Sequence, residues 1–452
     1  MNGASWAQRI QRLTSGDGLR AQLLRGGIGS LSVKVAHAFI AFALAVALAR
    51  TLGPEGYGVY SFALAIIMLT AIPAQVGVPQ LVVRETAKAQ ANGNYGLMRG
   101  LWRWGNLAVA IFSALALTIV VGIVWFTDIG GDGQRVATLT VGIALIPFIA
   151  LANVRGACLR GLRKVVQGQL PESIIRPALL MLFVLVWATW FVEDELTSQI
   201  VMSFYVLAAV LAFIVGAWLL RRSRPAELNE RPAPEYQSSA WRKAVIPLAM
   251  ITGLQLINNY ADLIILGIFR TDEEVGIYRA VFQVALLVIF GLQAMNQVLQ
   301  PHFARLYEQG DIAKLQRLVT TSARAILALA LAPVMIFMVF GSELLEGVFG
   351  EGFRAGGLAL AILAVGQLVN AAMGSVGVLL NMTGHERDSM KGISIAASVN
   401  VALNLVLVPP LGIEGAAVAT AVSLLVLNCV LYYLVKIRLG VSSSAFPIGW
   451  RG

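Results

Sequence analysis

Apolar runs of about 20 residues recur along this chain, and they restrict its fold more than any other feature. A helix of that length crosses the hydrocarbon core of a bilayer. In lipid every backbone N–H and C=O must be satisfied within the spanning structure, so such runs read as a helical bundle. They lie at approximately 29–50, 57–83, 104–127, 136–158, 174–192, 199–220, 244–269, 278–300, 323–342, 356–381, 393–409 and 415–435, giving about twelve predicted spans. The eleventh is short, and Pro409-Pro410 closes it. The chain is 58% hydrophobic and 13% charged, about half the charge of a soluble domain. The predicted class is an all-α polytopic membrane protein.

The formal charge of +10 does not point to nucleic acid, because the basic residues sit in short loops, where they set topology. With the N-terminus inside, all of the 34 lysines and arginines except Arg50, Arg135, Arg270, Arg279 and Arg354 fall on the cytoplasmic side. Both termini are therefore expected in the cytoplasm. The outer loops are short and acidic, as in Glu193-Asp194-Glu195 and Asp272-Glu273-Glu274. The first apolar run is too long for a cleavable signal peptide. In the basic segment 1–28, Trp6, Ile10 and Leu13 share a face beside Arg9 and Arg12. That pattern fits an interfacial helix or a disordered basic tail.

The longest polar segment, 221–243, holds Pro225, Pro232 and Pro234 and reads as a cytoplasmic linker. It separates a lobe at 29–220 from one at 244–438, with a tail at 439–452. Six spans in each lobe imply parallel repeats about an axis along the membrane normal. Local echoes agree. Tyr57-Gly-Val-Tyr60 returns as Val275-Gly-Ile-Tyr278, Gly93-Asn94 as Gly310-Asp311, and Gly161-Leu-Arg-Lys as Gly384-His-Glu-Arg, in order and at nearly one offset.

Catalytic and nucleotide motifs are missing. There is no phosphate-binding Gly-x-x-x-x-Gly-Lys loop and no Gly-x-Ser-x-Gly elbow. His37, His302 and His385 are dispersed, and Cys158 and Cys429 lie in predicted spans. No enzyme activity, metal site or cofactor is expected. Polar stripes do run through the spans at helical spacing: Gln255, Asn258, Asn259 and Asp262; Gln293, Asn296, Gln297 and Gln300; Gln367 and Asn370; Asn400 and Asn404; and Lys34 with His37. They either brace the bundle or line a wet cavity between the lobes; as a set they favour the cavity. Asp262 is the one carboxylate set well inside a span, where a charge is costly. It could couple transport to a proton or to sodium, form half of a latching salt bridge, or accept structural hydrogen bonds. Basic residues at span ends, Lys34 and Arg176 foremost, suit an anionic headgroup or snorkel to lipid. Pro73, Pro79, Pro147, Pro177, Pro247 and Pro333 can each kink a span.

Several segments resemble a known family. Leu48-Ala-Arg-Thr-Leu-Gly-Pro-Glu-Gly-Tyr-Gly-Val-Tyr-Ser61 is similar to the signature after the first span of the polysaccharide biosynthesis family, the O-antigen-type flippases of the multidrug/oligosaccharidyl-lipid/polysaccharide exporter superfamily. Gln75 to Glu85, Asp262 to Tyr278 and Gly412 to Thr420 resemble later signatures. The resemblance implies two six-helix lobes around a central cavity in a bacterial plasma membrane. It also implies a glycan on a polyprenyl diphosphate as substrate, alternating access as the mechanism, and membrane lipids and a polysaccharide polymerase as partners. A cation-coupled multidrug exporter of the same superfamily is the alternative and would need more intramembrane carboxylates. The loop after the second span lacks the major-facilitator pattern. Short outer loops argue against a polymerase or ligase, and a peptidoglycan-precursor flippase would have two further spans.

Overall fold

The computed structural model describes residues 19–75, 77–126, 133–190, 195–230 and 232–446. The amphipathic pattern at Trp6 to Leu13 lies outside the described residues, as does Glu193-Asp194. The described chain is helical and contains no strand. The first half comprises α1 (Leu19–Thr70), α2 (Ile72–Gln75), α3 (Val78–Ala91), α4 (Tyr95–Phe126), α5 (Gly133–Gly142), α6 (Leu145–Gly161), α7 (Val165–Leu170), α8 (Arg176–Trp190) and α9 (Ser198–Ser223). The second comprises α10 (Ser238–Phe269), α11 (Asp272–Ala285), α12 (Phe290–Glu308), α13 (Ile312–Phe349), α14 (Gly357–Met373), α15 (Val376–Met382) and α16 (Glu386–Leu439).

Among the described residues ten helical stretches are long and apolar enough to cross a membrane, against about twelve expected. The difference lies in the two longest. α1 has 52 residues and α16 has 54, about 80 Å each at 1.5 Å per residue, far more than one crossing needs. Both break at a glycine in the left-handed region, Gly53 (φ 67°) and Gly412 (φ 57°), which lie where the sequence puts outer loops. Behind Gly412 the chain folds back. Arg438 donates to Asp388 at 2.8 Å and Asn400 to Ser423 at 3.3 Å, so α16 is a pair of antiparallel arms. Pro79 and Pro147 follow breaks and occupy first turns, where a missing N–H costs nothing, whereas Pro177 sits just after the π-helical turn of a continuous helix and Pro333 lies inside one.

Packing differs between the two ends of the bundle. At the end carrying Gly53 and Gly412, named the outer end after the expected topology, residues from both halves merge into one apolar core running from Leu48 through Phe62, Tyr278 and Leu360 to Ala417. At the opposite, inner end the core divides in two: one around Leu81, Met98 and Leu159 takes in Trp241 and Val245 from the start of α10, and the other around Phe303, Leu379 and Val435 lies within the second half. One apolar core thus spans both halves at the outer end, whereas two distinct cores fill the inner end, with the start of α10 packed on the first half.

The outer junction is built from the echoed motif. Gly58 and Gly276 oppose each other so closely that a Cβ on Gly58 would lie 1.7 Å from the Asp272 carbonyl oxygen, and one on Gly276 1.9 Å from that of Pro54. Only hydrogen fits at such a backbone contact. Arg135 pairs with Asp272 at 2.8 Å, and Arg50 donates to the Val348 carbonyl at 2.7 Å. Phe42 meets Phe349 edge-on, with ring centroids 6.2 Å apart.

The linker is docked rather than free. Glu235 N–H bonds to Gly96 O at 3.0 Å, Arg99 donates to Pro232 O at 2.7 Å, and Trp241 is buried beside Trp104. The tail also packs down. Gln316 accepts from Ser442 N–H, and Ala445 N–H bonds to Ala372 O.

Candidate functional site

Between the lobes lies a cavity of about 360 Å³. Its first-half wall comes from α1, α6, α8 and α9; Leu256, Tyr260, Arg279 and Gln283 come from α10 and α11. Its charged groups are Glu172, Arg176 and Arg279, set among Tyr57, Tyr60, Tyr205 and Tyr260.

Local backbone explains how these side chains reach it. Pro171 has no N–H to give, and a π-helical turn, Pro171–Ile175, precedes α8, with Arg176 N–H bonding to Pro171 O. The extra residue re-aims the helix face, a device frequent at functional sites. It sets Glu172 and Arg176 side by side as an ion pair, with the guanidinium 5.5 Å from the Tyr205 ring centroid. Arg279 arrives differently. Thr271 caps α11, its hydroxyl accepting from Glu274 N–H at 3.4 Å, and Asp272, Glu273 and Glu274 fill the positive first turn. The helix therefore starts early enough to carry Arg279 past the outer junction, into the cavity lined by Tyr57, Tyr60 and Tyr260.

The expectation that Arg279 belongs to an outer loop is thus corrected. Charge counting assigns each residue to its nearest loop and cannot see a capped helix that begins there. His37 and Arg176, expected in the site, do line this cavity, and His37 Nδ1 donates to the Ser173 carbonyl at 2.8 Å. Lys34 is exposed near the start of α1 and lines no described cavity.

The amide stripes do not line the inter-lobe cavity. Gln255, Asn258, Asn259, Asn296 and Asn370 line a second one of about 410 Å³, lined only by second-half residues, together with Asn381 and Asn428. It carries no charged side chain. Asn428 donates to Asn370 Oδ1 at 3.1 Å, and Asn370 donates to the buried Gln367 at 3.3 Å. Gln293 and Gln297 are exposed and Gln300 is half-buried; none of the three lines a described cavity. α10 divides the two spaces, with Leu256 and Tyr260 on one face and Gln255 and Asn259 on the other.

Asp262 lines neither cavity. It is 2% exposed and sits in a polar cluster among α10, α11 and α16. Its Oδ2 accepts from the Tyr278 hydroxyl at 2.8 Å and from the Thr420 hydroxyl at 2.9 Å. Asn400 and Asn404 belong to the same cluster, Asn404 donating to the Asn400 carbonyl at 2.9 Å. No ion pair involving Asp262 occurs among the described residues, so it is not a salt-bridge latch here. The described residues supply no hydrogen-bond donor to Asp262 Oδ1, Asn400 Oδ1 or Asn404 Oδ1. Three buried acceptors with no donor are costly alone, about 1–3 kcal/mol each. They suit a proton or a hard cation such as sodium, which takes oxygen ligands. No group of three or more His, Cys, Asp or Glu side chains could hold a metal among the described residues.

Sequence reasoning missed Arg279, Glu172 as a lining group, and the four tyrosines. Tyr57 and Tyr60 were within reach, since they bracket the repeated motif.

The sequence pattern of a family described as "Polysaccharide biosynthesis protein" matches residues 23–307. Two proteins of Haloferax volcanii are similar. "Probable low-salt glycan biosynthesis flippase Agl15" is 26% identical over 42% of this chain and 41% of its own length, so the chain spans under half of that relative. "Probable flippase AglR" is 22% identical over 89% of this chain and 81% of its own length. Among solved structures, an inward-facing multidrug resistance MATE family transporter of the MOP superfamily superposes with a TM-score of 0.74 at 14% identity, over 92% of this chain and 98% of that one. The lipid II flippase MurJ, in an inward closed conformation, gives 0.69 at 12% identity, over 91% and 87%. These likenesses establish a shared polytopic membrane fold.

Proposed function

Because this chain belongs to the polysaccharide biosynthesis protein family, we propose that it is a flippase that carries a glycan on a polyprenyl diphosphate from the inner to the outer leaflet by alternating access. The observation that carries this reading is the pair of guanidiniums, Arg176 and Arg279, contributed from opposite lobes to one cavity. A diphosphate would be held by both at once, since a guanidinium binds phosphate oxygens bidentately. Glu172 holds Arg176 in the absence of cargo and would yield it to the more highly charged ligand. The tyrosine hydroxyls and the neutral amide cavity offer donors and acceptors, without fixed charge, for sugar hydroxyls. The apolar junction at one end and the separate cores at the other fit a state closed outward. Rocking about α10 would exchange the two.

A charge must reset the cycle, and the Asp262 cluster is our candidate for its proton or sodium site, given its three acceptors without donors. The same cluster would serve a cation-coupled multidrug exporter. Two guanidiniums in the cargo cavity repel cationic drugs, and this favours the anionic cargo. Deletion of the gene should remove surface glycan and accumulate lipid-linked precursors with their sugars facing the cytoplasm. Unchanged glycan with altered sensitivity to cationic drugs would instead establish the exporter.

A further inference from the structure

A cavity of about 610 Å³ lies away from both spaces described above and shares no residue with them. It opens at the inner end of the first half, between α4, α6 and α9 and the start of the linker. Five arginines line it: Arg99, Arg103 and Arg155 from the lobe, Arg221 and Arg224 from the end of α9 and the linker. No carboxylate lines it, and Glu227 and Glu230 flank the wall without joining it. None of the five arginines has an ion-pair partner among the described residues.

Topology alone does not require this arrangement. Basic residues that fix orientation need only stand in loops, where water screens them from one another. Here they converge. The floor is apolar, from buried Trp102, Cys158 and Leu220. Arg155 stands within a candidate span, its guanidinium 3.3 Å from the Phe213 ring centroid. Arg99 is held by the Pro232 carbonyl at 2.7 Å, and Arg224 lies over Trp102 at 6.0 Å. Arg99 and Arg155 each spend a donor on a backbone carbonyl and ring stacking spends none, so most N–H groups of these side chains remain available to an anion. Like charges gathered beside a low-dielectric floor repel each other strongly unless an anion sits among them.

A neighbouring cavity of about 480 Å³ shares Arg224 and adds Lys164 and Arg222, again with no carboxylate. Its wall includes Trp218, which is 54% exposed and lies under Arg222 at 5.5 Å. An exposed tryptophan beside arginines at a span end is the pattern of a membrane–water interface.

We propose that this cavity is a second anion site, distinct from the cargo cavity, that binds a phosphate group. Two sources share that chemistry, the headgroup of an anionic phospholipid and a soluble phosphate. Because Arg221 and Arg224 belong to the end of α9 and the linker and the others to the lobe, the bound phosphate ties the linker to the first half. The proposal does not depend on the identity of the transported cargo.

The test uses the full chain, purified and reconstituted in nanodiscs of phosphatidylcholine with or without phosphatidylglycerol, and separately titrated with inorganic phosphate and diphosphate. Affinity is read by native mass spectrometry for lipid and by thermal shift for the soluble anions. Arg103→Ala with Arg221→Ala should weaken binding by about tenfold or more. Arg155→Lys, which keeps the charge and loses the fork, should weaken it less and guards against a folding defect. The control pair Lys314→Ala with Arg317→Ala, in the second half, should leave it unchanged. An arginine-dependent effect in the phosphatidylglycerol arm identifies a lipid headgroup, and one in the phosphate arm a soluble ligand. If neither arm depends on these arginines, or if the control pair loses as much, the site does not exist.

Discussion

Single side chains decide what the inter-lobe cavity can hold. Among the described residues Arg279 supplies the only second-half charge lining that cavity, so Arg279→Ala should cut flipping of a diphosphate-linked glycan in proteoliposomes by about tenfold or more, one or two charge-assisted hydrogen bonds being worth that much. Arg279→Lys should recover part of the rate, since an ammonium keeps the charge and loses the bidentate fork. Equal rates for the two variants would mean that charge alone recovers nothing, and a lysine variant at the wild-type rate would mean that fork geometry does not matter. Asp262 plays another part. Asp262→Asn preserves shape and can still accept from Tyr278 and Thr420, so insertion and folding should be unaffected while the dependence of flux on a proton or sodium gradient disappears. A variant that retains wild-type flux and gradient dependence would take Asp262 out of the mechanism. Asp262 and Arg176 were legible in the sequence because a lone charge inside an apolar run costs several kcal/mol and needs a reason. The partners of Asp262 were not, because Tyr278 and Thr420 lie 16 and 158 residues away and no periodicity links them.

At the scale of elements, the hydropathy pattern located the helices, because lipid leaves the backbone no alternative. Helix faces were harder. The amide stripe of α10 was real, yet it turns toward the second half and leaves Leu256 and Tyr260 to the inter-lobe cavity. Both faces of α10 are polar somewhere, so periodicity alone could not say which face meets which space. The echoed motif shows the opposite case, a pattern visible in sequence whose meaning is steric. Gly58 and Gly276 allow α1 and α11 to touch backbone to backbone. Gly276→Val should force them apart, since even a Cβ would lie 1.9 Å from Pro54 O. A Ser61→Cys reporter, with Cys158 and Cys429 replaced, should then react with a membrane-impermeant thiol reagent from outside. In the Gly276 parent it should react far more slowly. Equal labelling would show that the glycine contact is not the outer seal.

For the molecule as a whole, the outer junction is a closure that must open once per cycle if the protein rocks between two states. Its holding contacts are few and of different kinds: one apolar core shared by both halves, the Arg135–Asp272 pair at 2.8 Å and the Arg50 bond to Val348 O at 2.7 Å. Rigid-body motion of the lobes therefore has to break Arg135 from Asp272, both only about one-seventh exposed, at 14% each. A largely buried pair of that kind costs more to separate than a surface pair, and the loss is recovered only if the inner ends come together. Replacing both residues by cysteine, in a background without Cys158 and Cys429, and joining them with a short bifunctional reagent should hold the outer end shut. Flux should fall to background, while binding of the lipid-linked glycan from the inner side persists. Cleaving the linker should restore transport in the same sample. If the cross-linked protein transports at the uncross-linked rate, the two lobes do not part at this junction, and cargo must leave by a path that keeps Arg135 and Asp272 together.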